Sequence, residues 1–462
     1  MTIKVRIYYL FLAALIASVI APVVAQADKA DDLIKLQMEK QHIPGLALAV
    51  VQNGKVIKTA GYGQANLENN VPVSDRTIFE IGSMTKQFTA SAIMLLVQDG
   101  KLALDDKISR YLEGTPESWK EITIRHLLSH TSGIKNQHGV NAMDKPRDET
   151  IKLVSAPPLE AKPGDKWNYC NTGYFLLGYI IETVSGKSYW DFLDQRIFKP
   201  LDMTVTRNSD PQIVILNRAR GYTYAEKGYR NGPIIRSSEG WAAGSLVSNV
   251  LDLAKWDAAL YSDKILTTAS RNTMWTETRF NDGKPFPYGL GWFVQKPKGH
   301  LLIEHGGNTG AFSTTISRFV EDKLTVIVLT NRAGITLSSL SQDIAGCYVP
   351  GLARTEPKPI EDKEPKVTAL VKDTILKTAM GTLDPNSFAQ EIRAILFPDK
   401  AKEVQNVMKS WGELQSLTLL SHIEMDGNRI YRYRAVFKTV TLTCTVVLNK
   451  ADKIEGYLFQ PE

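Results

Sequence analysis

Two stretches of the chain, each with a pair of apolar-rich runs around a turn, predict β-hairpins. In GLALAVVQNGKVIKTAGYG, residues 45–63, two apolar-rich runs flank Asn53-Gly54, a dipeptide that favours a tight two-residue turn. In STTISRFVEDKLTVIVLTN, residues 313–331, a similar pair of runs flanks Glu321-Asp322. We therefore expect one hairpin near each end of a large domain.

Between these hairpins the spacing of apolar residues is mostly that of helices. One helix is expected from Met84 to Val97, where Asp99-Gly100 closes it, and another from Tyr174 to Val184, where Ser185-Gly186 closes it. Strands at both ends with helices between them predict an α+β fold, in which helices flank an antiparallel sheet.

The composition changes after Pro350. Residues 351–366 include ARTEPKPIEDKEPK, which is charged, proline-bearing and almost without large apolar side chains, so we interpret them as a linker. Residues 367–462 then pass from helical patterns to four strand-like runs, which predict a small α+β accessory domain of about a hundred residues. This interpretation leaves residues 28–350 as the main domain.

The first residues, 1–27, have the pattern of a secretory signal peptide. Lys4 and Arg6 precede an apolar run from Ile7 to Ile20, and Ala25-Gln26-Ala27 offers a small-x-small cleavage site. The run is short for a helix that crosses a bilayer, so an uncleaved membrane anchor is the weaker alternative. We expect a periplasmic or secreted protein without a stable membrane span after cleavage.

The charge and cysteine content argue against a nucleic-acid-binding protein, a disulfide-rich protein and a cysteine-ligated metal site. The 55 basic and 49 acidic residues are spread along the 462-residue chain, and no basic block points to nucleic acid. Cys170, Cys347 and Cys444 are too few and too scattered for a disulfide framework or a metal site. Whether Cys347 pairs with Cys444 is left open by the sequence.

The segment EIGSMTKQF, residues 80–88, places Ser83 three positions before Lys86 at the start of a predicted helix. Residues three apart share a helix face. Burial would lower the pKa of the lysine, which could then accept the serine proton. A second S-x-x-K match, Ser132 to Lys135, lies in a glycine-containing turn, where serine usually bonds to local backbone. Ser83 is the better candidate nucleophile.

Two further segments carry candidate chemistry. WNYCNTGY contains Tyr169-Cys170-Asn171, and a tyrosine can transfer protons if a nearby positive charge, here that of Lys86, lowers its pKa. A similar triplet, Tyr229-Arg230-Asn231, is flanked by glycine and proline and indicates a surface turn. IEHGGNTGAFS contains His305-Gly306-Gly307, where glycines at a strand edge let a substrate approach and an N–H group can stabilise an oxyanion.

Other chemistries have weaker support. His126 and His130 lie one helical turn apart, but Leu127 occupies the position of a zincin glutamate and no third zinc ligand is evident. Cys170 lacks a base partner that would make it a nucleophile. No G-x-S-x-G motif occurs, which argues against an α/β-hydrolase. We expect neither a metal nor another cofactor.

The order and spacing of these motifs over residues 30–350 resemble the serine β-lactamase and penicillin-binding-protein superfamily, in its class C β-lactamase-like branch. Segments such as TIFEIGSMTKQFTASAIMLLVQDGKLALDDKI, ITIRHLLSHTSGI and WNYCNTGYFLLGYIIETVSGKSY are similar to family segments in family order. The resemblance implies an all-helical subdomain beside the sheet. Residues 367–462 show a weaker resemblance to cystatin-like or nuclear-transport-factor-like modules.

The resemblance also implies a role for each motif. Ser83 would be the acylated nucleophile, Lys86 its proton acceptor and Tyr169 a proton shuttle. The backbone N–H groups of Ser83 and Asn308 would form the oxyanion hole. The residues expected to bind substrate are Asn171, His305 and Gly307.

His305 departs from the β-lactamase pattern, because it stands where those enzymes usually carry the lysine of a K-T-G triplet. Histidine is only partly protonated near neutral pH, whereas that lysine is a fixed charge for a substrate carboxylate. Efficient β-lactamase activity is therefore not the first expectation. The resemblance to family members with an H-x-G triplet implies an exported serine hydrolase for esters or D-amino-acid-containing peptides, of the carboxylesterase or D-Ala-D-Ala carboxypeptidase type.

Two alternatives stay open. The first is a class C-like β-lactamase, which would hydrolyse β-lactams as its main substrates. The second is a non-catalytic binder of peptidoglycan or peptide, which covalent labelling would distinguish because a binder need not acylate. The expected partners are a small-molecule ester, peptide or β-lactam, and peptidoglycan.

Overall fold

A computed structural model describes residues 29–137, 144–225, 228–234, 237–354, 357–425 and 427–461. The segment interpreted as a signal peptide, residues 1–27, lies outside this set. The chain divides into two compact units, Met1–Arg354 and Thr355–Glu462. The division falls within residues 351–366, the segment predicted as a linker. In the part of the chain that the structure describes, no helix is both long and apolar enough to cross a membrane.

The first unit is built on an antiparallel sheet. Its strands are β1 Gly45–Gln52, β2 Lys55–Asn66, β3 Val71–Pro72, β4 Phe79–Glu80, β5 Arg207–Asn208, β6 Tyr222–Ala225, β7 Gly228–Asn231, β8 Leu246–Ser248, β9 Thr278–Arg279, β10 Pro285–Phe286, β11 Phe293–Gln295, β12 Leu302–Asn308, β13 Ser313–Phe319 and β14 Leu324–Thr330. Seven of them form the main sheet in the order β11-β12-β13-β14-β1-β2-β3, and the others form small sheets.

Both predicted hairpins are confirmed. β1 pairs with β2 across Asn53-Gly54, where both residues have positive φ, as a type I′ turn requires. β13 pairs with β14 in register from Ser313 opposite Thr330 to Phe319 opposite Leu324. β14 also pairs with β1, so the two chain-distant hairpins meet at the centre of the sheet.

The central strands are buried on both faces. Along β1, Leu46, Leu48 and Val50 join one apolar core, while Ala47 and Ala49 join the other. All five side chains are fully buried. An antiparallel sheet with one wet face would show polar residues at every second position, so the unbroken apolar run reflects helices packed on both faces.

The helices of the first unit lie on both sides of this sheet. They are α1 at residues 29–40, α2 Thr85–Gln98, α3 Ile124–Leu128, α4 Arg147–Ser155, α5 Asn171–Ser185, α6 Tyr189–Leu193, α7 Ser237–Gly244, α8 Val250–Ala259, α9 Thr268–Met274 and α10 Ser338–Tyr348. Helix α2 is buried on every side from Thr85 to Leu96, as expected for a helix at the centre of a large core. It carries Lys86 into that core.

The second unit is α+β, with three helices followed by four strands. Its elements are α11 Pro365–Met380, α12 Gln390–Leu396, α13 Asp399–Trp411, β15 Leu414–Met425, β16 Asn428–Phe437, β17 Thr441–Leu448 and β18 Ile454–Pro461. The strands pair antiparallel in chain order, and along β17 every second residue is buried. The four predicted strands are confirmed. Cys444 lies fully buried in this core as a free thiol, and Cys347 on α10 of the first unit is also free.

Candidate active site at the start of the central helix

Ser83 lies in a tight turn that leads directly into α2. Gly82 opens this 3₁₀ turn, Gly82–Met84, with a positive φ of 52°, a backbone conformation that costs glycine little. Lys86 follows in the first turn of the helix, and its Nζ lies 3.1 Å from Ser83 Oγ. The spacing of three residues therefore brings the hydroxyl and the amine together, as the motif predicted.

The amine of Lys86 is fully buried, and it has three oxygen neighbours. Besides Ser83 Oγ, these are Asn171 Oδ1 at 2.8 Å and the carbonyl oxygen of Ala243 at 2.7 Å. Burial lowers the pKa of Lys86 well below its ordinary value, since no carboxylate offsets the loss of hydration. In its neutral form this amine would have two N–H groups for the two closer oxygens and a lone pair to accept from the Ser83 hydroxyl.

Tyr169 also lies beside this pair, but its protonation differs from the expectation. Lys86 Nζ sits 4.7 Å from the centre of the Tyr169 ring, and the phenol is hydrogen-bonded to Ser83. Burial raises the pKa of Tyr169, and the Ser83 hydrogen bond offsets this only in part. The expectation that Lys86 lowers the pKa of Tyr169 is therefore wrong, because burial of the phenol itself is the dominant effect.

The residues after Tyr169 are anchored by contacts from another loop. Asn171 begins α5, and its N–H donates to Asn136 Oδ1 at 2.9 Å. The N–H of Cys170 donates to His130 Nδ1 at 3.1 Å, while the His130 ring packs 4.4 Å from the ring of Tyr169. Burial raises the pKa of the Cys170 thiol to about 11, so this thiol is a poor nucleophile. His130 thus supports the tyrosine loop.

His305 lies on β12 as a buried, neutral imidazole. Its Nδ1 donates to the Gly306 carbonyl oxygen at 2.7 Å, which leaves Nε2 to accept from the Tyr288 hydroxyl at 3.1 Å. Burial lowers the pKa of His305 to about 3, and nearby Lys86 adds to this effect. The partial protonation expected for a histidine at this position is therefore wrong near neutral pH.

The glycines of β12 allow this strand to approach the nucleophile. A Cβ on Gly307 would lie 1.9 Å from the carbonyl oxygen of Ile81, and one on Gly82 would lie 3.0 Å from the backbone nitrogen of Asn308. The backbone before Ser83 is therefore in direct contact with the end of β12. This contact places the backbone of Asn308 next to the turn that carries Ser83.

Two cavities meet at the nucleophile. The larger, about 530 Å³, is lined by Ser83, Tyr169, His305 and residues of β11, β13 and the segment before α10. The smaller, about 220 Å³, is lined by Ser83, Asn308 and residues of α5 and α7. A cavity of about 870 Å³ also lies against α8, but none of the candidate residues line it. We place the site at the two cavities that share Ser83.

The competing candidates occupy ordinary structural positions. Ser132 Oγ accepts a local hydrogen bond from the N–H of Ile134, and Tyr229 lies on the short strand β7. His126 Nδ1 accepts from the N–H of Thr123 and caps α3. Over the described ranges, no three His, Cys, Asp or Glu side chains cluster in a way that could hold a metal ion.

Comparison with known proteins assigns the first unit to a protein family. Residues 30–341 match the Beta-lactamase family, which is about two thirds of the chain. The chain belongs to this family. "Penicillin-binding protein 4*" of Bacillus subtilis is 31% identical to this chain over 315 residues. The match covers 64% of this chain and 69% of that protein. "Protein flp" of Staphylococcus aureus is 29% identical over 315 residues, and the match spans 65% of this chain and 62% of that protein.

Solved structures agree with this assignment of the beta-lactamase-family fold. An octameric penicillin-binding protein homologue from Pyrococcus abyssi superposes with a TM-score of 0.63 at 25% identity, over 91% of this chain and 90% of that one. FmtA from Staphylococcus aureus superposes with a TM-score of 0.62 at 23% identity, over 73% of this chain and 93% of that one. The sheet flanked by helices, predicted from the sequence, is confirmed as this fold.

Two contributors to the site have no signal in the sequence. Ala243 acts through its carbonyl oxygen, which lies at the end of α7 after a kink at Trp241. Tyr288 bonds to His305 from a loop before β11. A backbone carbonyl and a single tyrosine form no motif, so only the three-dimensional contacts identify them.

Replacement of Gly307 by alanine tests the close contact between β12 and the Ser83 turn. We expect Gly307→Ala to lower the free energy of unfolding by about 1–3 kcal/mol or more, because the new Cβ collides with the Ile81 carbonyl. Gly306→Ala is the matched control, since its Cβ would meet its nearest neighbour, the Thr314 carbonyl oxygen, at 3.4 Å. Urea unfolding of both variants measures the difference, and equal losses would contradict the proposed contact.

Proposed function

We propose that this protein is an exported serine hydrolase that forms an acyl-enzyme on Ser83. Membership in the Beta-lactamase family and penicillin-binding-protein relatives support a serine hydrolase with peptidoglycan-related substrates. The observation that carries the proposal is the 3.1 Å contact between Ser83 Oγ and a buried Lys86 amine. Export rests on the predicted signal peptide, residues 1–27.

Acylation begins when Lys86 takes the proton of the Ser83 hydroxyl. The Ser83 oxygen then bonds to the substrate carbonyl carbon, and the N–H groups of Ser83 and Asn308 stabilise the resulting oxyanion. Tyr169 accepts the proton from Lys86 as it gives its own phenolic proton to the leaving oxygen or nitrogen. The bond to the leaving group breaks, the acyl group stays on Ser83, and Lys86 is neutral again.

Deacylation uses the same groups in the reverse direction. A water molecule gives its proton through Tyr169 and Lys86 while its oxygen bonds to the acyl carbon. Collapse of the second oxyanion breaks the ester bond, and the Ser83 oxygen regains a proton from Lys86. The acid product leaves, and the pair returns to its resting state.

The substrates follow from the charges around the nucleophile. His305 is neutral, and among the described residues that line the two cavities at Ser83 none is lysine or arginine. A substrate carboxylate would find no fixed positive charge there. Esters and D-amino-acid peptides that lack a carboxylate beside the scissile bond fit this site best, with β-lactams second.

Ser83→Ala should abolish both turnover and labelling by a fluorophosphonate probe, because the reactive hydroxyl is lost. Ser132→Ala is the matched control from the second S-x-x-K match and should keep both. Intact-mass spectrometry and peptide mapping of the labelled protein measure the outcome. Label on Ser132, or normal turnover by Ser83→Ala, would refute the assignment.

Lys86→Ala should slow acylation by about a hundredfold or more, the usual scale of lost general-base catalysis. In the native protein kcat/KM should fall as the pH drops through the lowered pKa of Lys86, because the protonated amine accepts no proton. Single-turnover acylation as a function of pH measures both effects. If the variant kept the same rate and the same acid limb, another group would have to be the base.

Short-chain esters should be hydrolysed with higher kcat/KM than cephalosporins. In a Glu304→Gln variant, which removes the sole carboxylic acid among the described residues of the larger cavity, the ratio of the two should stay constant from about pH 8 to about pH 5. Protonation of Lys86 slows both reactions by the same factor, so it does not change their ratio. His305 stays neutral above about pH 3, so it does not change the ratio either. A ratio that shifts toward the cephalosporin near pH 6.5 in this variant, at the ordinary pKa of histidine, would show that His305 becomes charged.

A further inference from the structure

A buried carboxylic acid, Glu304, lines the same cavity as the nucleophile. It precedes His305 on β12, its side chain belongs to a residue only 6% exposed, and it borders the cavity of about 530 Å³ that contains Ser83. The mechanism proposed above uses none of its atoms. Its cross-strand neighbour on β11 is Phe293, an aromatic residue that lines the cavity as well.

The partners of Glu304 are all uncharged. Ser317 Oγ donates to one carboxyl oxygen at 3.1 Å, and Gln295 Nε2 reaches the other at 3.4 Å. Ser338 donates as well. In the described part of the chain no lysine, arginine or histidine forms an ion pair with Glu304, and burial raises its pKa. A buried carboxylate without a counter-charge is unfavourable, so this group lacks the cation that would stabilise its charged form.

The cavity restricts what can supply that cation. Among the described residues that line it, Glu304 is the sole carboxylic acid and none is lysine or arginine. A cationic ligand entering toward Ser83 therefore meets one acid, an aromatic ring and no repelling charge. Carboxylates and aromatic rings are the groups that bind organic ammonium ions in proteins.

We propose that Glu304 forms a subsite for a positively charged, ammonium-bearing group of the substrate. This inference rests on the proposed hydrolase function and names its substrate class as cationic esters or peptides. Glu304 would bind the substrate cation directly and would take no part in bond breaking.

The length of the strand sets the reach of such a substrate. Glu304 and Asn308 are four positions apart, which corresponds to about 13 Å along a strand. The side chain of Glu304 extends over part of this distance. The gap between Asn308 and the scissile carbonyl group of the substrate covers another part. An ammonium group on a flexible chain of lysine length covers the remainder.

Two matched esters test the subsite. The p-nitrophenyl esters of Nα-acetyl-D-lysine and Nα-acetyl-D-norleucine have side chains of the same length and differ by the ammonium group. We expect the full-length protein to favour the lysine ester in kcat/KM by about tenfold, the scale of one charge-assisted hydrogen bond. Glu304→Gln should bring the ratio of the two values close to one. Glu321→Gln removes an exposed carboxylate outside the cavity and should keep the wild-type ratio.

A binding measurement separates the subsite from turnover. Isothermal calorimetry should show that hexylammonium binds the native protein more tightly than hexanol does, and that Glu304→Gln loses this difference. Equal rates for the two esters, or a preference that survives in Glu304→Gln, would overturn the subsite. Cation binding without hydrolysis of either ester would overturn the proposed hydrolase function alone. If Glu304→Gln does not fold, the wild-type ester preference and cation binding decide the question.

Discussion

The burial of one lysine amine is the constraint on which the rest of this site depends. Helix α2 carries Lys86 into a dry core, where Ser83, Asn171 and Ala243 supply the only oxygens in contact with Nζ among the described residues. The unfolded chain keeps a proton on this amine up to its ordinary pKa of 10.5, whereas the folded chain releases it at lower pH. Stability therefore rises with pH across this window, so at neutral pH Lys86 costs stability that the surrounding core must offset. In the proposed mechanism, the benefit is a base beside the nucleophile.

The same dry environment acts on every titratable group near Lys86. It raises the pKa of Tyr169 and of the Cys170 thiol and lowers that of His305, so each group rests in its neutral form. Burial similarly favours the neutral form of Glu304. Neutral groups next to Ser83 keep their hydrogen bonds strong and, in the proposed mechanism, leave the developing oxyanion as the main charge to be stabilised. The close backbone contact between Gly307 and Ile81 holds the end of β12 against the Ser83 turn, where the proposed oxyanion hole would lie.

The sequence predicted the parts of this structure that depend on local chemistry. Asn53-Gly54 determines a turn by its own backbone preferences, and the spacing of Ser83 and Lys86 follows from the period of a helix, so both could be recognised. The kink at Trp241 that presents the Ala243 carbonyl, and the loop that brings Tyr288 to His305, depend on packing between distant segments. The protonation of Tyr169 could not be predicted either, since a motif shows which residues are neighbours but not how much water surrounds them.

Selectivity in such a site arises as much from missing charges as from contacts. A carboxylate substrate must lose its hydration in cavities whose described lining has no lysine or arginine and where His305 stays neutral, so its binding is opposed by an uncompensated desolvation cost. A neutral ester avoids this desolvation cost. A substrate ammonium group also loses hydration, but the proposed contact with Glu304 would offset that loss. A cavity that leaves the substrate carboxylate unpaired rejects carboxylate-bearing substrates, and this form of specificity needs no additional residue. In the proposed hydrolase, a neutral His305 in place of the family's usual lysine thus makes the cavity favour an ammonium group over a carboxylate, while the proposed Ser83–Lys86 chemistry is unchanged.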